Sequence, residues 1–154
     1  MACSLHFNFS MKLLTTLFFI SCIFLTVKNA TGQSKNITVV IDNVKDAEGT
    51  LWVALFNNEE QFLKERFRSL KLTPKEGQVV GTFEDIPEGK YAISVLHDTN
   101  NNKVVDKNAI GMPTEGVGFS NNAMGRFGPP DYDKVAFDFP KHNEIKIKLK
   151  YMTR

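Results

Sequence analysis

Apolar and polar positions alternate with a period of two through most of this chain. Ile37, Val39 and Ile41 alternate with Asn36, Thr38 and Val40. Ile145, Ile147, Leu149 and Tyr151 alternate with Lys146, Lys148 and Lys150, the cleanest such run. Alternation of this kind marks a strand with one buried face. Thr50 to Phe56 is apolar on both faces and predicts a central strand with Trp52 in the core. Further strands are predicted at Leu70–Leu72, Val79–Phe83, Lys90–His97 and Val135–Phe139. Pro87-Glu88-Gly89 and Pro74 supply turn and stop signals. One short helix is expected around Glu59–Arg66. The pattern predicts an all-β fold: one antiparallel β-sandwich of about seven strands, Ig-like or prealbumin-like.

Two segments break the alternation. Residues 11–27 hold one apolar run behind Met11-Lys12. A positive residue, a short apolar core and the small residues Ala30-Thr31-Gly32 make a secretory signal peptide, cut before Gln33. Met11 is the expected start, and 1–32 the expected leader. A retained anchor fits less well, since the run is short against the ~20 residues of a span. Lipidation at Cys22 fits less well too, because Phe19-Ile20-Ser21-Cys22 is a poor lipobox. Residues 33–154 then form a single periplasmic or extracellular domain, not integral to the membrane after cleavage. Both cysteines, Cys3 and Cys22, lie in the leader, so the exported part has no disulfide, thiol nucleophile or thiolate site.

The second break is residues 107–133, a Gly-, Pro- and Asn-rich stretch with no convincing strand. A loop this long inside a domain is usually functional or disordered. Ile110, Met112, Val117, Phe119, Met124, Phe127 and Tyr132 argue for order, as anchors onto the sandwich. Asn121, Asn122, Arg126 and Tyr132 are its candidate ligand-binding residues. The competing reading is a structural cap.

Charge excludes one class of partner. All 17 acidic residues and 17 of the 19 basic ones follow residue 32. A near-neutral domain lacks the basic surface that nucleic acid requires. The expected partner is a protein or a glycan. Lys146, Lys148 and Lys150 fit a solvated face that also discourages edge pairing.

The richest local chemistry is His97-Asp98-Thr99-Asn100-Asn101-Asn102-Lys103-Val104-Val105-Asp106. Asp98, Asn100, Asn102 and Asp106 fall at positions 1, 3, 5 and 9 of a calcium loop, with the Val104 carbonyl at position 7. Val105 is the candidate apolar pin. Lys103 replaces the glycine of position 6, and Ala109 the glutamate of position 12, so Glu115 is the candidate sixth ligand. With so few carboxylates, Ca2+ would bind weakly, at about 10⁻⁴–10⁻³ M. The alternative is a plain Asn-rich turn, in which such side chains satisfy nearby amides.

Phe83-Glu84-Asp85-Ile86-Pro87-Glu88-Gly89-Lys90-Tyr91 resembles the hairpin of prealbumin-like and carboxypeptidase-regulatory-like sandwich domains. With His97–Asn102 and Gly111-Met112-Pro113-Thr114-Glu115-Gly116-Val117-Gly118-Phe119-Ser120-Asn121-Asn122, the chain resembles the exported bacterial proteins of domain-of-unknown-function family 2141. The resemblance spans about residues 36–150 and implies a sandwich and an exported location. It brings no activity with it.

No enzyme is expected. His97 adjoins Asp98 and is capable of base or metal-ligand work, but such a histidine is more often packed. His142 sits in a turn. No nucleophile-elbow motif occurs, and nothing marks Asp131 and Asp133 as a glycosidase pair. Two functions remain: a calcium-stabilised, non-catalytic binding or envelope module, and a small-ligand or glycan binder that uses the 107–133 loop without metal.

Overall fold

The structure, a computed structural model, describes residues 35–152 except Phe127, within one compact unit. The expected leader at 1–32, the two cysteines and the expected start at Met11 lie outside the described residues.

Nine strands are described: β1 (Ile37–Val44), β2 (Thr50–Phe56), β3 (Arg68–Leu72), β4 (Gly77–Phe83), β5 (Gly89–Asp98), β6 (Gly116–Phe119), β7 (Phe137–Phe139), β8 (Glu144–Lys148) and β9 (Lys150–Tyr151). They form two sheets, ordered β4-β1-β8 and β3-β2-β5-β6-β9, with β7 added beside β5. The sandwich matches expectation. The pairing is not wholly antiparallel, because β8 runs parallel to β1, with Val39 opposite Ile145.

Alternation explains the core. Ile37, Val39 and Ile41 of β1 meet Leu51, Val53 and Leu55 of β2, with Ile93, Val95, Ile145 and Ile147 completing the layer between the sheets. The other face of the larger sheet carries a smaller cluster of Phe56, Ala92, Phe119, Tyr132 and Val135, packed by Phe62. The Phe62 ring stands edge-on to Phe56 at 5.2 Å and to Tyr132 at 5.6 Å.

The structure corrects several expectations. Glu59–Arg66 is a chain of turns, broken at Leu63, where φ is 60°. The helix is instead α1 (Tyr132–Val135), which takes Val135 out of the predicted strand. The 107–133 segment is not strandless, for it contains β6 and a 3₁₀ turn over Ser120–Asn122. The glycines of β6 face inward: a Cβ at Gly116 would lie 2.6 Å from the Tyr151 ring, and one at Gly118 2.7 Å from Ile147. The run Ile145–Tyr151 is split between the sheets. Leu149 is the crossing residue, its N–H bonded to the Asp42 carbonyl at 2.9 Å. Trp52 is half-buried on the outer face of β2, not in the core.

Candidate functional site: a polar loop beside an apolar cleft

Strands β2 and β5 pair Trp52 with Leu96 and Thr50 with Asp98. Even-numbered β5 residues therefore face outward, and Asp98 delivers its carboxylate into the loop that follows. Asp98 is fully buried. Its Oδ1 accepts the Asn102 N–H at 3.1 Å, and its Oδ2 accepts the Lys103 N–H at 2.9 Å and the Trp52 indole N–H at 3.3 Å. Buried Glu115 closes the loop from the far side, accepting the Thr99 N–H at 3.1 Å and the Asp106 N–H at 3.2 Å. Asn100 and Asn102 form local turns, accepting the N–H groups of Asn102 and Val104, and donate their amides to Asp106 at 2.6 and 2.9 Å. Asn101 accepts the Thr50 hydroxyl at 2.6 Å. Lys103 has φ 66°, the left-handed conformation usual for glycine.

The side-chain calcium candidates thus converge, Glu115 included. In this arrangement the loop is closed on its own N–H and amide groups. The carboxylates hold backbone N–H groups, and two amide nitrogens face Asp106 where a cation would need oxygens. No group of three or more His, Cys, Asp or Glu among the described residues is placed to hold a metal.

The next segment is built differently. Residues 105–113 and 124–126, with Gly128 and Pro129, wall a cleft of about 700 Å³ on the outer face of the larger sheet. Its floor includes Ser94 and Leu96 of β5 and Val117 and Phe119 of β6. Among the described residues five large apolar side chains are exposed, and three of them (Ile110 at 79%, Leu63 at 41%, Met112 at 39%) line this cleft. Val105 lines it too, instead of pinning the loop into the core. Concave, mostly apolar sites of this size are where small molecules bind.

A family model described as an uncharacterized protein conserved in bacteria matches residues 39–148. The chain belongs to the DUF2141 family. No curated protein and no solved structure matches it.

Within this DUF2141 domain the other candidates have framework positions. Asn121 donates to the Lys134 and Ala136 carbonyls at 3.2 and 3.0 Å. Asn122 accepts the Lys148 N–H at 2.7 Å and donates to the Lys146 carbonyl at 3.4 Å, copying a strand partner for β8. Tyr132 is buried, its hydroxyl on the Lys90 carbonyl at 3.2 Å. Only Arg126 of the four lines the cleft. The sequence reading missed the cleft residues of β5 and the exposure of Ile110 and Met112. Apolar residues in an aperiodic loop carry no signal separating anchor from lining.

His97 is packed between the sheets. Its Nε2 meets the Glu48 carbonyl at 2.9 Å and its Nδ1 the Tyr151 hydroxyl at 2.7 Å. A carbonyl only accepts, so Nε2 carries hydrogen, with the Asp46 carboxylate 3.6 Å from it, and the Tyr151 oxygen also accepts the Lys45 N–H at 3.2 Å. Burial raises the Tyr151 hydroxyl above its ordinary pKa. Asp131 and Asp133 sit in exposed ion pairs, with Lys134 at 2.8 Å and Lys90 at 3.5 Å. Lys134 lowers the Asp131 carboxyl, by its hydrogen bond and then by its charge.

Proposed function

We propose that this domain is a non-catalytic binding module, exported by its leader, that takes a small ligand in the cleft between residues 105–113 and 124–126. The observation that carries this reading is the exposure of Ile110, Leu63 and Met112 around one concavity. Scattered apolar side chains on a surface need no explanation, whereas a grouped set marks a binding site. The absence of catalysis is supported by His97, which is locked between the sheets, and by the ion pairs of Asp131 and Asp133. No helix among the described residues is long and apolar enough to cross a membrane.

The test is titration of the protein with a neutral naphthylamine probe. Saturable fluorescence enhancement is expected, weakened about tenfold or more by Ile110→Asp with Met112→Asp. Enhancement indifferent to these changes would place the ligand elsewhere and sink the reading.

A second reading keeps the calcium-stabilised module. It is favoured by Glu115 reaching the Asp98 loop and by Lys103 adopting the glycine conformation at position 6. It requires the Asn100 and Asn102 amides to turn over. Melting in EDTA, in ~1 mM calcium and in ~1 mM magnesium tests it. A dissociation constant near 0.1 mM gives about 1.4 kcal/mol of calcium-specific stabilisation, abolished by Asp98→Ala with Asp106→Ala. Identical melts would eliminate this reading and leave the cleft.

A further inference from the structure

We infer that the cleft is selective for a flexible, single-chain amphiphilic carboxylate, taken up as a soluble monomer. This rests on the cleft being the binding site, and it adds the class of ligand.

Two observations on the lining set that class. The first is softness. Met112, Met124 and Met152, all the methionines after residue 32, line this one cleft. Methionine is unbranched and polarisable and re-packs around variable shapes, which suits a bending aliphatic chain better than a rigid ring. Leu96, Val117 and Phe119 add an apolar floor with no charge in it.

The second observation is charge. Lys107 comes from one wall and Arg126 from the other, and no carboxylate lines the cleft. Asp106 and Glu115, the acidic residues nearest Lys107 in sequence, are turned into their own loop. Asp106 holds the amides of Asn100 and Asn102, and Glu115 holds two backbone N–H groups. Two cations over an apolar trough match a negative head on an apolar tail. Arg adds a planar fork suited to a carboxylate, and Lys adds a point charge. The volume, about 700 Å³, falls within the range of sites for one small molecule.

The experiment is an affinity series on the purified protein, by fluorescence displacement or calorimetry below each amphiphile's micelle concentration. The probes are straight-chain carboxylates of increasing length, the matching alcohols and the matching trimethylammonium salts. Each added methylene should tighten binding about fourfold until the cleft is filled. At equal length the carboxylate should bind best and the ammonium worst, and the difference should shrink as salt rises. Lys107→Glu with Arg126→Glu should cost the carboxylate about tenfold and leave the alcohol unchanged. A melting curve confirms that this variant is folded; should it not be, the alcohol-to-carboxylate ratio and its salt dependence on the native protein decide alone.

The failures are distinguishable. Binding of none of the three head groups would remove the cleft as a site altogether. Equal binding of alcohol and carboxylate would leave the cleft and overturn the carboxylate. Capture by anionic vesicles with no binding of monomeric chains would overturn the soluble ligand in favour of a lipid surface.

Discussion

Two consecutive segments leave the same end of the larger sheet and solve opposite problems. Asp98–Asp106 is polar and turns inward. Its carboxylates and amides serve its own N–H groups, and no buried side-chain polar atom among the described residues lacks a partner. The segment that follows is apolar and partly turned outward, with Ile110 and Met112 left in solvent. Loop backbone must find hydrogen-bond partners. The first segment finds them locally, and its closure holds the base of the second. Rich polar chemistry in sequence therefore marks the framework here, while the open chemistry is a set of plain apolar side chains.

Substitutions separate the two roles, beginning with the largest effect. Asp98→Ala removes the acceptor for three donors and should destabilise the domain by about 3 kcal/mol in denaturant unfolding. Asp98→Asn, which retains one acceptor oxygen, should cost less. Glu115→Gln should cost about 1–2 kcal/mol, because one of its two bonds survives a neutral amide.

An alkaline titration probes the framework without mutation. Burial raises the hydroxyls of Tyr91, Tyr132 and Tyr151 above their ordinary value, so the folded state holds these protons more tightly than the unfolded chain does. The stability they contribute is fully present below the unfolded pKa of about 10 and is lost as pH rises through the raised folded values. Unfolding monitored from pH 8 upward should show this loss, and Tyr151→Phe should reduce it.

Lys103→Gly should stabilise by about 0.5 kcal/mol, since a left-handed lysine costs more than the extra freedom glycine has when unfolded. At the small end, Ile110→Ser and Met112→Ser should change stability by less than about 0.5 kcal/mol while weakening probe binding. A large stability loss there would make these residues anchors after all and erase the contrast.

Period-two alternation carries the sandwich and its main core, because β1, β2, β5 and β8 each turn alternate residues into the layer between the sheets. It failed where tertiary context decides. In β6 the inward positions are Gly116 and Gly118, which make room for Tyr151 and Ile147 and so carry no apolar signal. The alternation of Ile145–Tyr151 runs unbroken through a change of sheet at Leu149, since period alone does not say which sheet a strand joins. The Asp98 loop is visible by its oxygen spacing, and Glu115, the candidate sixth ligand, lies beside it on the Thr99 and Asp106 N–H groups. Spacing does not say whether those oxygens face a cation or the loop's own amides. The cleft was not visible, because exposure in an aperiodic loop depends on what covers it.

The most direct test of a framework loop beside an open site is amide-resolved NMR during titration with a neutral apolar probe. The account predicts saturable shifts at Ser94, Leu96, Val117 and residues 110–112, with Asn100–Lys103 nearly unmoved. Shifts centred on Asn100–Lys103, with the cleft residues silent, would contradict it.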